Sequence, residues 1–410
     1  MGQDDVRQGG RPGRRRAVVI GGSMSGLLAG LQLREHGWEV DIFERVETEL
    51  SGRGAGIVAQ PELIAILEAM RLDTRDLGVE ITTRQILDGT GRLVGRLDCP
   101  QVLTAWERVF RVLRAAFPSE RYHRGIGLKG FAQTQASVVA HLTDGRGVEA
   151  DLLVGADGLR STVRQACLPD IAPLYAGYVA WRSLIPEEAI PAELFDYMTF
   201  CLPPGEQFLG YPVAGPDNDL RPGHRRYNVV WYRPADEHGE LRRLLTDDRG
   251  VTHAISIPPP LIRDAAIADM RAAAERLIAP QLRTIVPLMA EPILQPIYDI
   301  ESPRMAFGRI AIIGDAAFVA RPHVAAGVSK AADDAVALAD SLDAADDVAA
   351  GLRHFEAQRL PINGRIIERA RHLGAYLQAS QTVEERARSQ RHSIPQAVLA
   401  ETAVLDFLRA

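Results

Sequence analysis

Three observations predict an α/β fold: a Rossmann-like unit, a β-sheet domain inserted into it, and a helical segment after it. First, the apolar run Ala17-Val18-Val19-Ile20 passes into Gly21-Gly22-Ser23-Met24-Ser25-Gly26 and then into Leu27, Leu28, Leu31 and Leu33 at mostly helical spacing. Second, the grammar of buried strand, acid and helix start recurs at Asp151–Ser161 and Ile310–Gly327. Third, residues 173–299 change character, becoming rich in Tyr, Trp, Pro and short β-like runs.

The first stretch has the physics of a dinucleotide site. Gly21 permits the sharp turn off the strand, and Gly26 lets the helix pack closely. The free N–H groups of the helix's first turn, with the helix dipole behind them, suit a pyrophosphate. A second apolar run, Val40-Asp41-Ile42-Phe43, ends in Glu44, eighteen residues beyond Gly26, where a carboxylate can accept from ribose hydroxyls. Ser23 replaces the middle glycine of G-x-G-x-x-G; its hydroxymethyl crowds the pyrophosphate slightly but can also donate to it.

Composition narrows the function. With 410 residues, 46% of them hydrophobic, the chain can build two to three domains, and a net charge of −6 gives no general attraction to nucleic acid or anionic membrane. Small-molecule chemistry is the expectation. Cys99, Cys167 and Cys201 are odd in number and widely spaced, which argues against a disulfide framework and for a reducing, cytoplasmic setting. The ten histidines form no H-E-x-x-H or H-x-H pattern, so no metal site is expected. No apolar run reaches the roughly 18 residues of a membrane helix. Residues 1–16, with five arginines, are expected to be a disordered basic leader.

In order along the chain, Ser51-Gly52-Arg53-Gly54-Ala55-Gly56 is a Gly-rich loop for which cofactor contact and plain connection are equal readings. A helix follows from Pro61 to Met70. Residues 79–98 read as a hairpin turning at Asp88-Gly89 and Thr90-Gly91, assignable to the first unit or to the inserted sheet, and Trp106–Phe117 has helical periodicity. At Gly155-Ala156-Asp157-Gly158 a buried strand ends in an acid before a helix capped by Ser161. At Gly314-Asp315, followed by Arg321-Pro322-His323-Val324-Ala325-Ala326-Gly327, small residues open onto an Ala-rich helix whose N–H groups can meet a polar ligand edge. The inserted region carries Tyr178–Trp181, Phe208–Tyr211 and Tyr227–Tyr232, aromatics that suit a flat apolar ligand or simply cover a sheet. Past Asp340 the chain is helical, with breaks expected at Pro361 and near Pro395. The domains are thus 17–172 with 300–345, 173–299, and 346–410.

The three motifs in this order resemble the single-component FAD-dependent aromatic hydroxylases. Through Gly21–Gly26, Tyr175-Ala176-Gly177-Tyr178 and Arg321-Pro322-His323 the likeness is closest to the 2,6-dihydroxypyridine 3-hydroxylase branch. The resemblance implies that Gly21, Ser23, Met24, Ser25 and Gly26, with Glu44 and Arg45, bind the ADP half of FAD. Asp157 would lie near the pyrophosphate and bear on nicotinamide use, Asp315 would hold the ribityl chain, and Pro322, Ala325, Ala326 and Gly327 would run along the flavin. Trp106 stands where many relatives place an FAD-contacting arginine. With no recognisable flavin-linking motif, noncovalent FAD is expected, with NADPH or NADH as a transient electron donor. The implied reaction is O2 activation as a flavin C4a-hydroperoxide and hydroxylation of an electron-rich hydroxypyridine- or phenol-like ring.

For the substrate side, hydroxypyridine-acting relatives often carry a His four residues before a Tyr-Pro pair. Here the pair is Tyr211-Pro212 and that position is Gln207, which cannot take a proton. The expectation is therefore a ring held between Tyr211 and the flavin, with Gln207 orienting a ring atom and His323 as the base. Other readings stay open. Trp181-Arg182-Ser183-Leu184-Ile185-Pro186 partly echoes a flavin halogenase signature; an FAD oxidase or dehydrogenase, a non-catalytic flavin protein and a plain NAD-dependent dehydrogenase also share the first unit. Partners are expected to be a small aromatic substrate and O2, with the protein a monomer or homodimer.

Overall fold

The computed structural model describes residues 15–50 and 56–409. The leader to residue 14 and the loop residues 51–55, including Arg53, lie outside that range. Arg16–Ile20 is central in a six-stranded sheet, between Glu39–Glu44 and Leu152–Gly155, all parallel. Tyr122–Arg124 extends one side; Ile310–Ile312 extends the other, followed by the antiparallel edge Ala306–Phe307. Ala17, Val18, Val19, Leu152, Leu153 and Val154 are fully buried, so these strands read as continuous apolar runs because helices cover both faces. Met24–Glu35 and Gly327–Asp343 pack on each other, and Trp106–Ala116 turns Val109, Phe110 and Leu113 inward.

The second sheet has nine strands and is the inserted one. Its middle is built from Leu174–Pro186, Arg226–Pro234, Gln207–Val213 and Tyr197–Cys201, and the hairpin Val79–Leu87/Leu93–Ala105 joins it. The join is parallel, Tyr197 opposite Thr83 through Cys201 opposite Leu87. The Asp88 carboxylate closes the hairpin turn by accepting from the N–H groups of Thr90 and Arg92. The second hairpin strand runs to Ala105, past the expected 98, because its far end pairs with Gly56–Ala59. A three-stranded sheet at 128–150 flanks the first unit.

Pro361 does not break its helix: Val348–Gly374 is continuous, and Pro361 sits on the exposed face, where the carbonyl its missing N–H leaves free is open to water. The interruption near Pro395 is present, between Val383–His392 and Pro395–Glu401. That last helix docks on the chain's own inserted sheet. Fully buried Arg84 donates to the carbonyls of Leu399 (2.7 Å) and Thr402 (2.6 Å), the orphan acceptors of a helix C-terminus. No helix among the described residues is long and apolar enough to cross a membrane.

Candidate active site

The turn after Arg16–Ile20 is tightly determined. Gly21 has φ +104°, and a Cβ there would strike the Ala156 carbonyl; one on Gly26 would strike the Gly21 carbonyl oxygen. Gly22 is pinned between Tyr122, whose hydroxyl donates to its carbonyl (2.8 Å), and Glu44, which accepts from its N–H (2.8 Å). Glu44 also accepts from Val46 N (2.9 Å), so this acid braces the turn. Ser23 is the helix N-cap residue, but its side chain makes no capping bond and is left for other partners. Met24 is buried, Ser25 half-buried and Arg45 exposed.

The other two motifs meet this turn. Ala156 N bonds Ile20 O, and Gly314, at φ +56°, has no room for a Cβ because Ser25 Oγ is there. Asp157 accepts from Ser161 Oγ and from Thr162 N (2.7 Å), while Ser161 caps the helix Thr162–Cys167 through Arg164 N (2.9 Å). Burial pushes the Asp157 carboxyl up, against these hydrogen bonds. Asp315 is open to the cavity described below but ringed by protein otherwise; that burial raises its pKa, opposed by the Lys330 ammonium. Behind it, fully buried Asp334 accepts from Gly314 N (3.0 Å), Arg359 Nε (2.8 Å) and Asn363 Nδ2 (3.0 Å), fixing the Gly-Asp turn.

These residues fit a bound dinucleotide. The three turns close on one another at glycines with no room for a Cβ, and in the first turn of Gly327–Asp343 both Ser329 Oγ and Lys330 Nζ are buried with no hydrogen-bond partner. Leaving a buried donor unmade is costly, so an oxygen-rich ligand is the natural complement. Asp334 and Lys330 were not singled out in the sequence, where each is one more polar residue on an Ala-rich helix.

A cavity of about 330 Å³ joins this crevice to the inserted sheet. It is lined on one side by Asp315, Pro322, Ala325, Ala326 and Gly327, and on the other by Gln207 and Tyr211, with His323 between. Ala325 is left-handed (φ +49°), which turns the chain into the helix. Tyr211 donates to the Gly56 carbonyl (2.9 Å), and burial pushes its pKa up to about 12. Gln207 Oε1 accepts from Tyr376 OH at 2.6 Å, and its Nε2 is buried without a partner.

His323 does not suit the base role expected of it. Its Nε2 is bonded to Tyr178 OH (2.9 Å), and burial, helped by the adjacent Arg321 cation, brings its pKa down to about 3, so at neutral pH it neither carries a proton nor takes one readily. Trp106 stacks on Phe110, centroids 5.0 Å apart, and is partly buried against the core of the first unit. Tyr232, one of the aromatics read as suiting a flat ligand, lines the cavity; lining residues that the sequence did not reveal are Arg182 and Gln295 on neighbouring strands, and Thr402-Ala403, delivered by the Arg84 clamp. Arg182 had a signal, a cation between buried Trp181 and Ile185; Thr402 and Ala403 had none.

Residues 14–172 match the FAD binding domain family, and residues 175–299 match a domain described as FAD binding domain-like. The 2,6-dihydroxypyridine 3-monooxygenase of Paenarthrobacter nicotinovorans is 33% identical over 90% of this chain and 92% of its own length. The 3-amino-4-hydroxybenzoate 2-monooxygenase of Streptomyces cremeus is 29% identical over 87% of this chain and 86% of its own. The solved structure of 2,6-dihydroxypyridine-3-hydroxylase from Arthrobacter nicotinovorans superposes with a TM-score of 0.84 at 32% identity, covering 91% of this chain and 95% of that one. With both halves of the chain matched by these family models and a relative 33% identical over nine-tenths of each length, the chain belongs to the FAD-dependent aromatic monooxygenases.

Proposed function

We propose that the chain uses NAD(P)H and O2 to hydroxylate an aromatic or heteroaromatic ring that already bears an oxygen substituent. The observation that carries this reading is the single cavity in which the Asp315 and Pro322–Gly327 wall faces Gln207 and Tyr211. The substrates in the relatives' names, 2,6-dihydroxypyridine and 3-amino-4-hydroxybenzoate, are rings of that kind. FAD would be held without a covalent bond by Gly21, Ser23, Met24, Ser25 and Gly26, by Glu44, Asp157 and Asp315, and along Pro322–Gly327. Reduced by the nicotinamide, bound FAD supplies the oxygen activation that no side chain can.

The chain's own residues position and shield. Tyr211, fixed by its bond to Gly56 O, gives the ring a flat wall, and Gln207, fixed by Tyr376, offers an amide to a ring substituent. The apolar walls Val58, Met198, Leu209, Val230 and Ile297 exclude water from the reacting face. His323, neutral and bonded to Tyr178, ties the cofactor-side loop to the sheet. The test is whether purified protein is yellow, whether a hydroxypyridine or phenol panel contains a ring that accelerates NAD(P)H oxidation, and whether that ring gains one oxygen. A colourless protein after FAD addition, or nicotinamide oxidation with no hydroxylated product from any ring, refutes the reading.

A further inference from the structure

Three charged side chains line the cavity: Arg182, Asp315 and Arg321. Arg321 is neutralised by buried Asp299 at 3.0 Å, and Asp315 has the Lys330 ammonium opposing its charge. Arg182 meets no carboxylate among the described residues. Its NH1 donates to Gln295 Oε1 (2.9 Å), its NH2 reaches the Gly56 carbonyl only at 3.5 Å, and its Nε is buried with no acceptor at all. A guanidinium has five donors in a fixed fork, so most of this one is unused, and its charge is uncompensated in a wall built largely of apolar side chains.

Gln207 offers a second donor to the same space. Its contact with Tyr376 is 2.6 Å, a length typical of O–H···O and short for N–H···O, so the amide oxygen is the end that Tyr376 holds. The amide NH2 is the free end, buried and without a partner. The sheet side of the cavity therefore presents unmet donors and a positive charge, and the one carboxylate of the lining, Asp315, stands on the cofactor side. The titratable side chains around Arg182 are Tyr211, Tyr232 and Tyr298 on the sheet, and Asp315, Arg321 and His323 on the cofactor side. Burial raises all three tyrosines, and His323 lies at about 3.

We infer that Arg182, with the Gln207 amide, makes this cavity a receptor for a ring already ionised: an aromatic or heteroaromatic oxyanion that has left its proton in bulk water before entering. The inference rests on the ring-hydroxylation reading and specifies its substrate class. Rings whose hydroxyl ionises near neutral pH, such as hydroxypyridines and phenols with electron-withdrawing substituents, are preferred over plain phenol. No side chain need serve as base, because the extra electron density that favours oxygen transfer arrives with the ligand. A carboxylate on such a ring is a second anion the same fork can take, and methylating the ring hydroxyl separates the two.

The experiment titrates FAD-loaded protein with a series of phenols and hydroxypyridines of different acidity, following each ligand's own anion absorbance and its dissociation constant against pH. Binding as the anion is expected. The apparent constant should rise about tenfold per pH unit below each ligand's own pKa, and the break should move with the ligand. Arg182→Met should weaken the anions about ten- to a hundred-fold, leaving the O-methylated neutral analogue and the FAD content unchanged, and Arg182→Lys should recover part of the loss. A break at one fixed pH for every ligand, bound spectra of the neutral form, equal weakening of anion and methyl ether, or loss of FAD in both Arg182 variants overturns the inference. The ring-hydroxylation reading falls separately, on product analysis: rings that bind neutral and are still hydroxylated leave it standing while removing this one.

Discussion

Replacing Arg84 with Met keeps much of the aliphatic stem while removing every donor of the clamp that holds residues 395–403. In the intact protein Nε and NH2 of Arg84 donate to Gln101 Oε1 (3.0 and 2.7 Å), and NH1 donates to the Leu399 and Thr402 carbonyls. Ala403 O keeps Gln60 Nε2 and Gln101 Nε2 at 3.1 Å each, so two backbone acceptors lose their donor outright. At about 1.5–3 kcal/mol for each hydrogen bond from a charged group, the loss is about 3–6 kcal/mol. Burial lowers the Arg84 pKa, a sign that part of this is already spent on desolvating the cation, so the lower half of the range is the better expectation. Undocking of the segment limits the cost to the whole protein, and the effect should appear first as local opening. Trypsin should cut the variant faster at Arg386, Arg388 and Arg391, the melting temperature should fall by several degrees, and substrate KM should rise while FAD content stays. An unchanged digestion pattern together with unchanged KM would refute the clamp.

Three further outcomes are expected. Asp315→Ala should weaken FAD binding about ten- to a hundred-fold, the loss of one hydrogen bond to a charged group, and fluorescence titration of apoprotein measures it. Lys330→Met should shrink the extra stability that FAD confers, since it removes a buried ammonium that no protein group hydrogen-bonds; melts in which FAD raises the melting temperature of variant and wild type equally count against that placement. His323→Asn should flatten the acid side of the stability curve. The native state holds this imidazole at about 3 while the unfolded chain titrates near 6.5, so the unfolded state binds more protons between those values and stability falls as pH drops from about 6.5. If melts from pH 7.5 down to 4.5 have the same slope in variant and wild type, His323 is not held neutral.

What the sequence revealed and what it concealed divide along a physical line. The Gly21–Gly26 turn, Glu44, the Ser161 cap and the Gly314-Asp315 junction were readable because each rests on local rules: a positive φ, a buried strand, a helix start. The cavity's chemistry is not local. Gln207 meets Tyr376 across 169 residues and Arg84 meets Leu399 across 315, distances over which periodicity carries no information. His323 was readable as a residue and misread as a base, since an imidazole's proton affinity depends on burial and on Arg321, both set by the fold. Pro361 was misread for a similar reason: a proline's effect on a helix depends on which face it occupies.

The Arg84 clamp also orders events during synthesis. The strand that supplies the cation emerges early, together with the Gly-rich turn, and Thr402, whose carbonyl it grips, is with Ala403 the last translated of the residues that line the cavity. A nascent chain thus passes through a stage in which the Gly-rich turn is present and one wall of the cavity is still missing. Any product that terminates before Thr402 stays at that stage, open to water on the side where the ring should be enclosed.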